Sequence, residues 1–357
     1  MIHLLNAEHP LEDWLLRHDQ PGYRIRQIED WLYRRRATTF DQMTNLPQPL
    51  QHQLADAFTI WTTHTVRHQQ TSDGSEKLVL ELFDGGRIEC VLLRDGIRRT
   101  ICISTQVGCA MGCVFCASGL NGVDRNLTSG EIVEQMLRLQ QLLPENERLS
   151  HIVMMGMGEP LANLSGLLPA LELASDKQRL GISKRRITIS TVGLPSAIKR
   201  LADQKTAYHL AVSLHAANDP LRNRLVPTNE HIGLQAIMAA ADHYFESSGR
   251  RLTFEYVLLA DINDSDRDAH ELANLLRGRP ALLNIIPYNP VAGLPYRTPS
   301  HATLAAFRTI LEDHGIEVKV RQRKGDKINA ACGQLRREIL PLKAPDVSAG
   351  PHSKFAN

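Results

Sequence analysis

The stretch CISTQVGCAMGCVFC, residues 102–116, holds four of the chain's six cysteines. Within it Cys109, Cys113 and Cys116 follow the spacing C-x-x-x-C-x-x-C, on a loop with Gly108 and Gly112 just after the strand-like run RTICIST. Three thiolates on one loop can hold three corners of a [4Fe-4S] cluster and leave the fourth iron open to a ligand, whereas electron-carrying clusters take four cysteines. The alternative is a zinc site with Cys102 as fourth ligand. Zinc knuckles usually bring two separated C-x-x-C pairs, and only Cys113 and Cys116 make such a pair here, so the spacing favours iron–sulfur.

The elements that must position this loop can be read on either side of it. From Leu11 to about Phe58 apolar residues fall at helical spacing, broken at Pro21-Gly22 and around Pro47-Gln48-Pro49. This small helical module carries Arg24, Arg26, Arg34, Arg35 and Arg36 among Tyr23, Trp31 and Tyr33. Either it is a solvated basic face with its aromatics turned inward, or it is a platform for a nucleic-acid backbone. From Thr65 to Ser104 the period changes to two, and the turn signals SDG, DGG and RDG separate short strands, which predicts a β-meander.

Beyond the cysteines, six strand-like runs alternate with helical stretches: HIVMMGM, RRITIST, HLAVSLH, LTFEYVLL, LLNIIPY and EVKVRQR. Such alternation predicts right-handed βαβ units, a parallel sheet and a site at the C-terminal strand ends. The expectation is an α/β chain: a partial (βα)6 barrel with an N-terminal helical domain and a short meander. The expected boundaries are 1–62 for the helical domain, 63–104 for the meander, 105–340 for the barrel and 341–357 for a disordered tail poor in residues to bury.

With 357 residues, 43% hydrophobic and 22% charged, the chain can bury a large core, and its formal charge of +2 excludes no partner class. No run of eighteen apolar residues occurs, and the N-terminus lacks a signal-peptide pattern, so a cytoplasmic location and no membrane are expected. In a reducing compartment six cysteines point to metal or catalysis rather than to structural disulfides.

Further motifs stand in register: RNLTSGEIVEQ, VMMGMGEPLAN, SKRRITISTVG, SLHAANDPLRNRLVP and AACGQL. Together with the cysteine loop and Phe115 before its last cysteine, they resemble the RlmN/Cfr family of the radical S-adenosylmethionine superfamily, whose members methylate RNA adenosines. The resemblance implies one [4Fe-4S] cluster on Cys109, Cys113 and Cys116, and two molecules of S-adenosyl-L-methionine per turnover. It implies cofactor binding by Gly158 and Glu159 of GMGEP and by Ser190, Ser213, Leu214, His215 and Asn289. It also implies that Cys332 of ACGQL carries an S-methylcysteine intermediate, that Cys102 resolves it through a transient disulfide, and that Glu89 of RIEC accepts the ring proton. On the residues alone, Cys332 and Cys102 would be buried structural cysteines and Glu89 an outward-facing strand carboxylate. Small residues around Cys332 suggest a mobile loop, and Cys90 is taken as structural.

The implied partners are 23S rRNA, tRNA and an electron donor such as a flavodoxin or ferredoxin. Two adenine carbons remain open. Carbon 2 is the RlmN-type target and carbon 8 the Cfr-type, resistance-conferring one; Gly325-Asp326 and the long helical N-terminus lean towards carbon 2, while Lys327 and Asn329 stand where acidic residues are common. Two readings of other classes are a zinc-containing RNA-binding module without catalysis and a radical enzyme acting on a small molecule or peptide.

Overall fold

A computed structural model describes residues 1–7, 10–321 and 328–335. The expected tail at 341–357, the end of the EVKVRQR run, and Gly325, Asp326 and Lys327 therefore lie outside the described residues.

Ten strands form one sheet: β1 (His64–Gln70), β2 (Glu76–Glu81), β3 (Arg87–Asp95), β4 (Arg98–Cys102), β5 (His151–Met154), β6 (Ile187–Thr191), β7 (His209–Ser213), β8 (Leu252–Leu258), β9 (Ala281–Pro287) and β10 (Glu317–Val320). Each strand pairs only with its neighbours in sequence, so spatial order and chain order coincide. The pairs from β1 to β4 are antiparallel and those from β4 to β10 parallel. The three meander turns carry Gly74, Gly85 and Gly96 at positive φ, as their DG signals require. The meander is thus part of the barrel sheet, and β4 of the meander is the strand that feeds the cysteine loop.

The sheet is curled. Five strand spacings lie between β5 and β10, roughly 24 Å in a flat sheet, far beyond one side chain. Yet Arg321, one residue past β10, donates from Nη1 to Met155 Sδ, one residue past β5, at 3.4 Å. The C-terminal strand ends therefore face one another across a cup.

Helices α1 (Pro10–Arg17), α2 (Tyr23–Glu29) and α3 (Gln48–Ala57) make the N-terminal module. Pro49 opens α3 rather than breaking it, since its missing N–H costs nothing in a first helical turn. Residues 35–47 are not helical; Arg36 at φ +59 turns the chain out of the helix. The barrel helices are α4 (Ser129–Gln141), α5 (Leu164–Ser175), α6 (Pro195–Asp203), α7 (Asp219–Leu225), α8 (Leu234–Ser248), α9 (Asp266–Leu276) and α10 (His301–Asp313). A reciprocal capping box opens α4: Thr128 Oγ1 accepts from Glu131 N at 3.2 Å and Glu131 Oε2 from Thr128 N at 2.8 Å. One apolar core runs from Leu4 and Leu5 of the module through the sheet to Leu335.

Two of the module's arginines bond to the barrel. Arg36 donates to the carbonyls of Leu143 and Pro144 at 2.6 and 3.2 Å and to that of Glu147. Arg34 reaches Lys177 O at 3.0 Å, and Arg35 pairs with Asp30 at 2.8 Å. Of the five, Arg36 in particular is a docking residue, its guanidinium turned to carbonyls of the barrel rather than to solvent. Among the described residues no helix is long and apolar enough to cross a membrane.

Candidate functional site

The cysteine loop follows β4 by way of a short strand, Gln106–Gly108, which pairs antiparallel with Val123–Asn126. Gly108, at φ +79, packs so closely on Gly122 that a Cβ there would stand 2.1 Å from Gly122 O, and Cys109 N donates to that same carbonyl at 2.8 Å. Val114 N donates to Leu225 O at 3.1 Å, and Thr228 Oγ1 to Met111 O at 3.1 Å. So held, Cys109, Cys113 and Cys116 all line one pocket at the mouth of the cup. Burial pushes all three thiols up, Cys109 to about 12. A bound metal would deprotonate them outright.

No group of three His, Cys, Asp or Glu side chains among the described residues is set for a single metal ion. Cys102, the proposed fourth zinc ligand, does not line that pocket and instead has Cys332 as its foremost charged neighbour. Three cysteines around one pocket, with the fourth directed elsewhere, fit a larger cluster with one open corner.

The walls of the pocket come from the expected cofactor residues. Gly158, Glu159, Ser190, Ser213, His215 and Asn289 all line it. Leu214 does not. Its side chain is fully buried in the core, its N–H donates to Glu255 O at 2.9 Å, and its carbonyl accepts from Arg222 Nε at 2.9 Å. Alternation along a strand puts Ser213 and Leu214 on opposite faces. His215 returns to the pocket because its φ of +63 turns the chain.

The glycines of GMGEP are demanded by close packing. A Cβ on Gly156 would sit 2.6 Å from Ile103 O, and one on Gly158, at φ +99, 2.6 Å from Gln106 Cβ. The close approach is to the segment leading into the cysteine loop, and both glycines also line the pocket. Glu159, buried, accepts from Leu161 N at 3.0 Å and Val192 N at 2.8 Å, while its own N–H donates to Gln106 Oε1 at 2.8 Å. It ties the ends of β5 and β6 to the loop. Its carboxylate also accepts a side-chain hydrogen bond from Thr191.

Two pocket groups await a partner. Asn289 Nδ2 donates to Cys332 O at 3.1 Å, whereas its buried Oδ1 has no partner. His215 Nδ1 accepts from Val257 N at 3.1 Å, so its proton is on Nε2. Burial, with Arg222 nearby, pushes this imidazole down to about 3, so it is a neutral donor. An unsatisfied acceptor, a fixed donor and a buried carboxylate suit the amino-acid and nucleoside parts of S-adenosylmethionine, and in that respect the residues fit the cofactor.

Cys332 lies on the pocket wall in the segment 328–335. That segment is pinned rather than loose. Ala117 N donates to Gly333 O at 2.8 Å, Ser118 Oγ to Leu335 O at 2.6 Å, and Gln334 Nε2 to Pro290 O at 2.9 Å. Cys102 and Cys332 are neighbours: burial and the Cys332 charge push Cys102 up to about 12, with Arg321 acting against them. Burial also raises Cys332, opposed by Arg321.

Glu89 is not outward-facing. It is 1% exposed, and its Oε1 accepts from Lys77 Nζ at 2.7 Å. Cys90 points the other way and is fully buried, its thiol pushed up mainly by burial.

Sequence reasoning passed over Glu255, Arg321, Gln106 and Lys77. Glu255 lines the pocket, accepting from Ser190 Oγ at 3.1 Å and Asn284 Nδ2 at 3.3 Å. A single carboxylate inside the apolar run LTFEYVLL was a usable signal, because buried charges are rare.

Comparison with known proteins gives concordant matches. Residues 103–273 match the family model of the Radical SAM superfamily, and residues 2–60 that of the Ribosomal RNA large subunit methyltransferase N-terminal domain. The chain is 62% identical over 343 residues, 96% of its length and 92% of the relative's, to a Rhodopirellula baltica protein named "Probable dual-specificity RNA methyltransferase RlmN". It is 44% identical over 328 residues, 91% of its length and 90% of the other's, to a protein of the same name from Geobacillus thermodenitrificans. Among solved structures, a radical SAM methyltransferase from Sphaerobacter thermophilus superposes with TM-score 0.91 at 43% identity, covering 94% of this chain and 99% of that one.

Proposed function

Because the chain belongs to the RlmN family of radical S-adenosylmethionine RNA methyltransferases, we propose that it methylates carbon 2 of an adenosine in the peptidyl-transferase centre of 23S rRNA and of a tRNA adenosine beside the anticodon. The observation that carries this is Cys332 on the wall of the pocket that Cys109, Cys113 and Cys116 share. The relatives' designation as dual-specificity supports two RNA classes.

An amidine carbon of adenine is not nucleophilic, so direct polar methyl transfer fails there, and the bound cluster and cofactor supply the methyl group and the radical that the protein cannot. The chain's own residues do the rest. Cys332 takes the methyl group as a thiolate, which Arg321 favours. Loss of a hydrogen atom from that methyl leaves a carbon radical on Cys332, and its bond to the ring carbon joins protein and RNA as a thioether. Glu89 takes the ring proton as the adduct gives up one electron, for which the bound cluster would be the acceptor. The Cys102 thiolate then attacks the Cys332 sulfur. The carbon–sulfur bond breaks, its electron pair goes to the carbon, and that carbon takes a proton to become the methyl product. A Cys102–Cys332 disulfide remains, reset by two electrons from a thiol reductant.

The target adenosine must be splayed out of its RNA fold to enter the cup. Exposed Arg26, Arg185 and Arg186 supply phosphate contacts. A flavodoxin or ferredoxin supplies the electrons, and the reaction takes place in the cytoplasm.

The test is nucleoside mass spectrometry of rRNA and tRNA after anaerobic incubation with reconstituted protein, cofactor and reductant. 2-Methyladenosine with the wild type and none with Cys332→Ala is expected, with Cys102→Ala accumulating a covalent RNA–protein adduct. 8-Methyladenosine would place the chain with the resistance-type members instead. Cofactor cleavage with neither product would overturn the RNA assignment for those substrates.

A further inference from the structure

Lys77 is buried on β2, and it does not line the cofactor pocket. In the β2–β3 register Lys77 stands opposite Val91 and Val79 opposite Glu89, so Lys77 and Glu89 are diagonal neighbours on one face. Its ammonium donates to Glu89 Oε1 at 2.7 Å and also to Asn329 O at 3.2 Å. Asn329, at φ +50, lies three residues ahead of Cys332. The other described ties on this segment come from the cysteine loop (Ala117, Ser118), from Asn289, and through Gln334 from Pro290. Lys77 ties it from the meander side.

A buried ion pair is a poor source of stability, because desolvation offsets the attraction; its best-attested role is to fix register. A lysine suits that role here, since one ammonium has three donors and can serve a carboxylate and a carbonyl together.

We propose that Lys77 is a positioning residue, which holds the Glu89 carboxylate at a fixed offset from the Cys332 segment. Proton acceptor and sulfur then meet the adenine ring in one register. This rests on the reading of Glu89 as the proton acceptor.

The experiment compares Lys77→Met, Lys77→Gln, Lys77→Arg and Glu89→Gln with the wild type under anaerobic single-turnover conditions. Three quantities are read: Cys332 methylation by intact mass, covalent RNA–protein adduct on denaturing gels, and methyladenosine product. In Lys77→Met and Lys77→Gln, Cys332 methylation should match wild type, product should fall at least about tenfold, the scale of a small misplacement, and the ratio of adduct to product should rise. Lys77→Arg, which keeps the cation, should restore most of the product. A proportionate loss of methylation, adduct and product in all three Lys77 variants would mean a merely structural role and overturn the proposal. Wild-type behaviour of Lys77→Met beside an adduct-accumulating Glu89→Gln would overturn the Lys77 role alone. Wild-type product from Glu89→Gln would overturn the proton-acceptor reading, and the Lys77 proposal with it.

Discussion

Two glycines with similar backbones and different surroundings allow a quantitative test of how the GMGEP turn is built. Gly158 has φ +99, and an added Cβ would lie 2.6 Å from Gln106 Cβ and 2.8 Å from its Cγ and backbone N. Gly249, which ends α8 at φ +62, has nothing within 4 Å of such an atom. Alanine at either position costs about 1–2 kcal/mol for the left-handed backbone. At Gly158 alone, overpacking adds about 1–3 kcal/mol, because contacts between carbons are comfortable only near 3.5–4.0 Å. Urea unfolding followed by circular dichroism should therefore show Gly158→Ala losing about 2–5 kcal/mol and Gly249→Ala about 1–2 kcal/mol. The displaced Gln106 is the acceptor for Glu159 N. Equilibrium dialysis should accordingly find weaker S-adenosylmethionine binding to Gly158→Ala and unchanged binding to Gly249→Ala. Equal stability losses, or undiminished cofactor binding by Gly158→Ala, would refute the steric account.

Thr128→Ala removes one half of the α4 capping box and should lower stability by about 1 kcal/mol in the same urea assay. Arg36→Ala frees carbonyls of the segment at 143–147 and should cost about 1–3 kcal/mol, seen as faster proteolytic release of the N-terminal helices. In the metal-free protein, histidine imidazole NMR signals should show His215 neutral from pH 8 to pH 5. The unfolded chain binds a proton there near 6.5 and the folded chain only near 3, so stability on this account falls as pH drops through that interval, less steeply in His215→Gln. A His215 titration near 6.5 would contradict its burial.

The cysteine spacing, the DG turns and the alternation of apolar runs with helical stretches were legible because each is a local signal with a local cause. What escaped depends on curvature or on side-chain direction. Glu76–Glu81 is buried on both faces of its strand except at Glu81, so no alternation marks Lys77 as an inward cation. Arg321 matters only because the sheet curls and returns β10 to the end of β5. Leu214, which the resemblance grouped with Ser213 and His215, turns its side chain into the core by the two-residue period of the strand. Small residues around Cys332 suggested freedom, but the bonds that pin that segment come from residues more than forty positions away or more.

The coincidence of strand order with chain order has a consequence for how the molecule is made. A chain that emerges from its N-terminus finds, for each new strand, the partner strand already in place, so the sheet can grow stepwise with no threading and no strand held in reserve. The residues that seal the cup, Arg321 and the segment with Cys332, are the last of the described chain to arrive. The three cluster-loop cysteines, by contrast, emerge roughly two hundred residues earlier in synthesis, at several residues per second. During that interval the cup has its floor but no closing wall. A window of tens of seconds therefore separates the synthesis of the cysteine loop from that of the Cys332 segment, which completes the wall of the pocket.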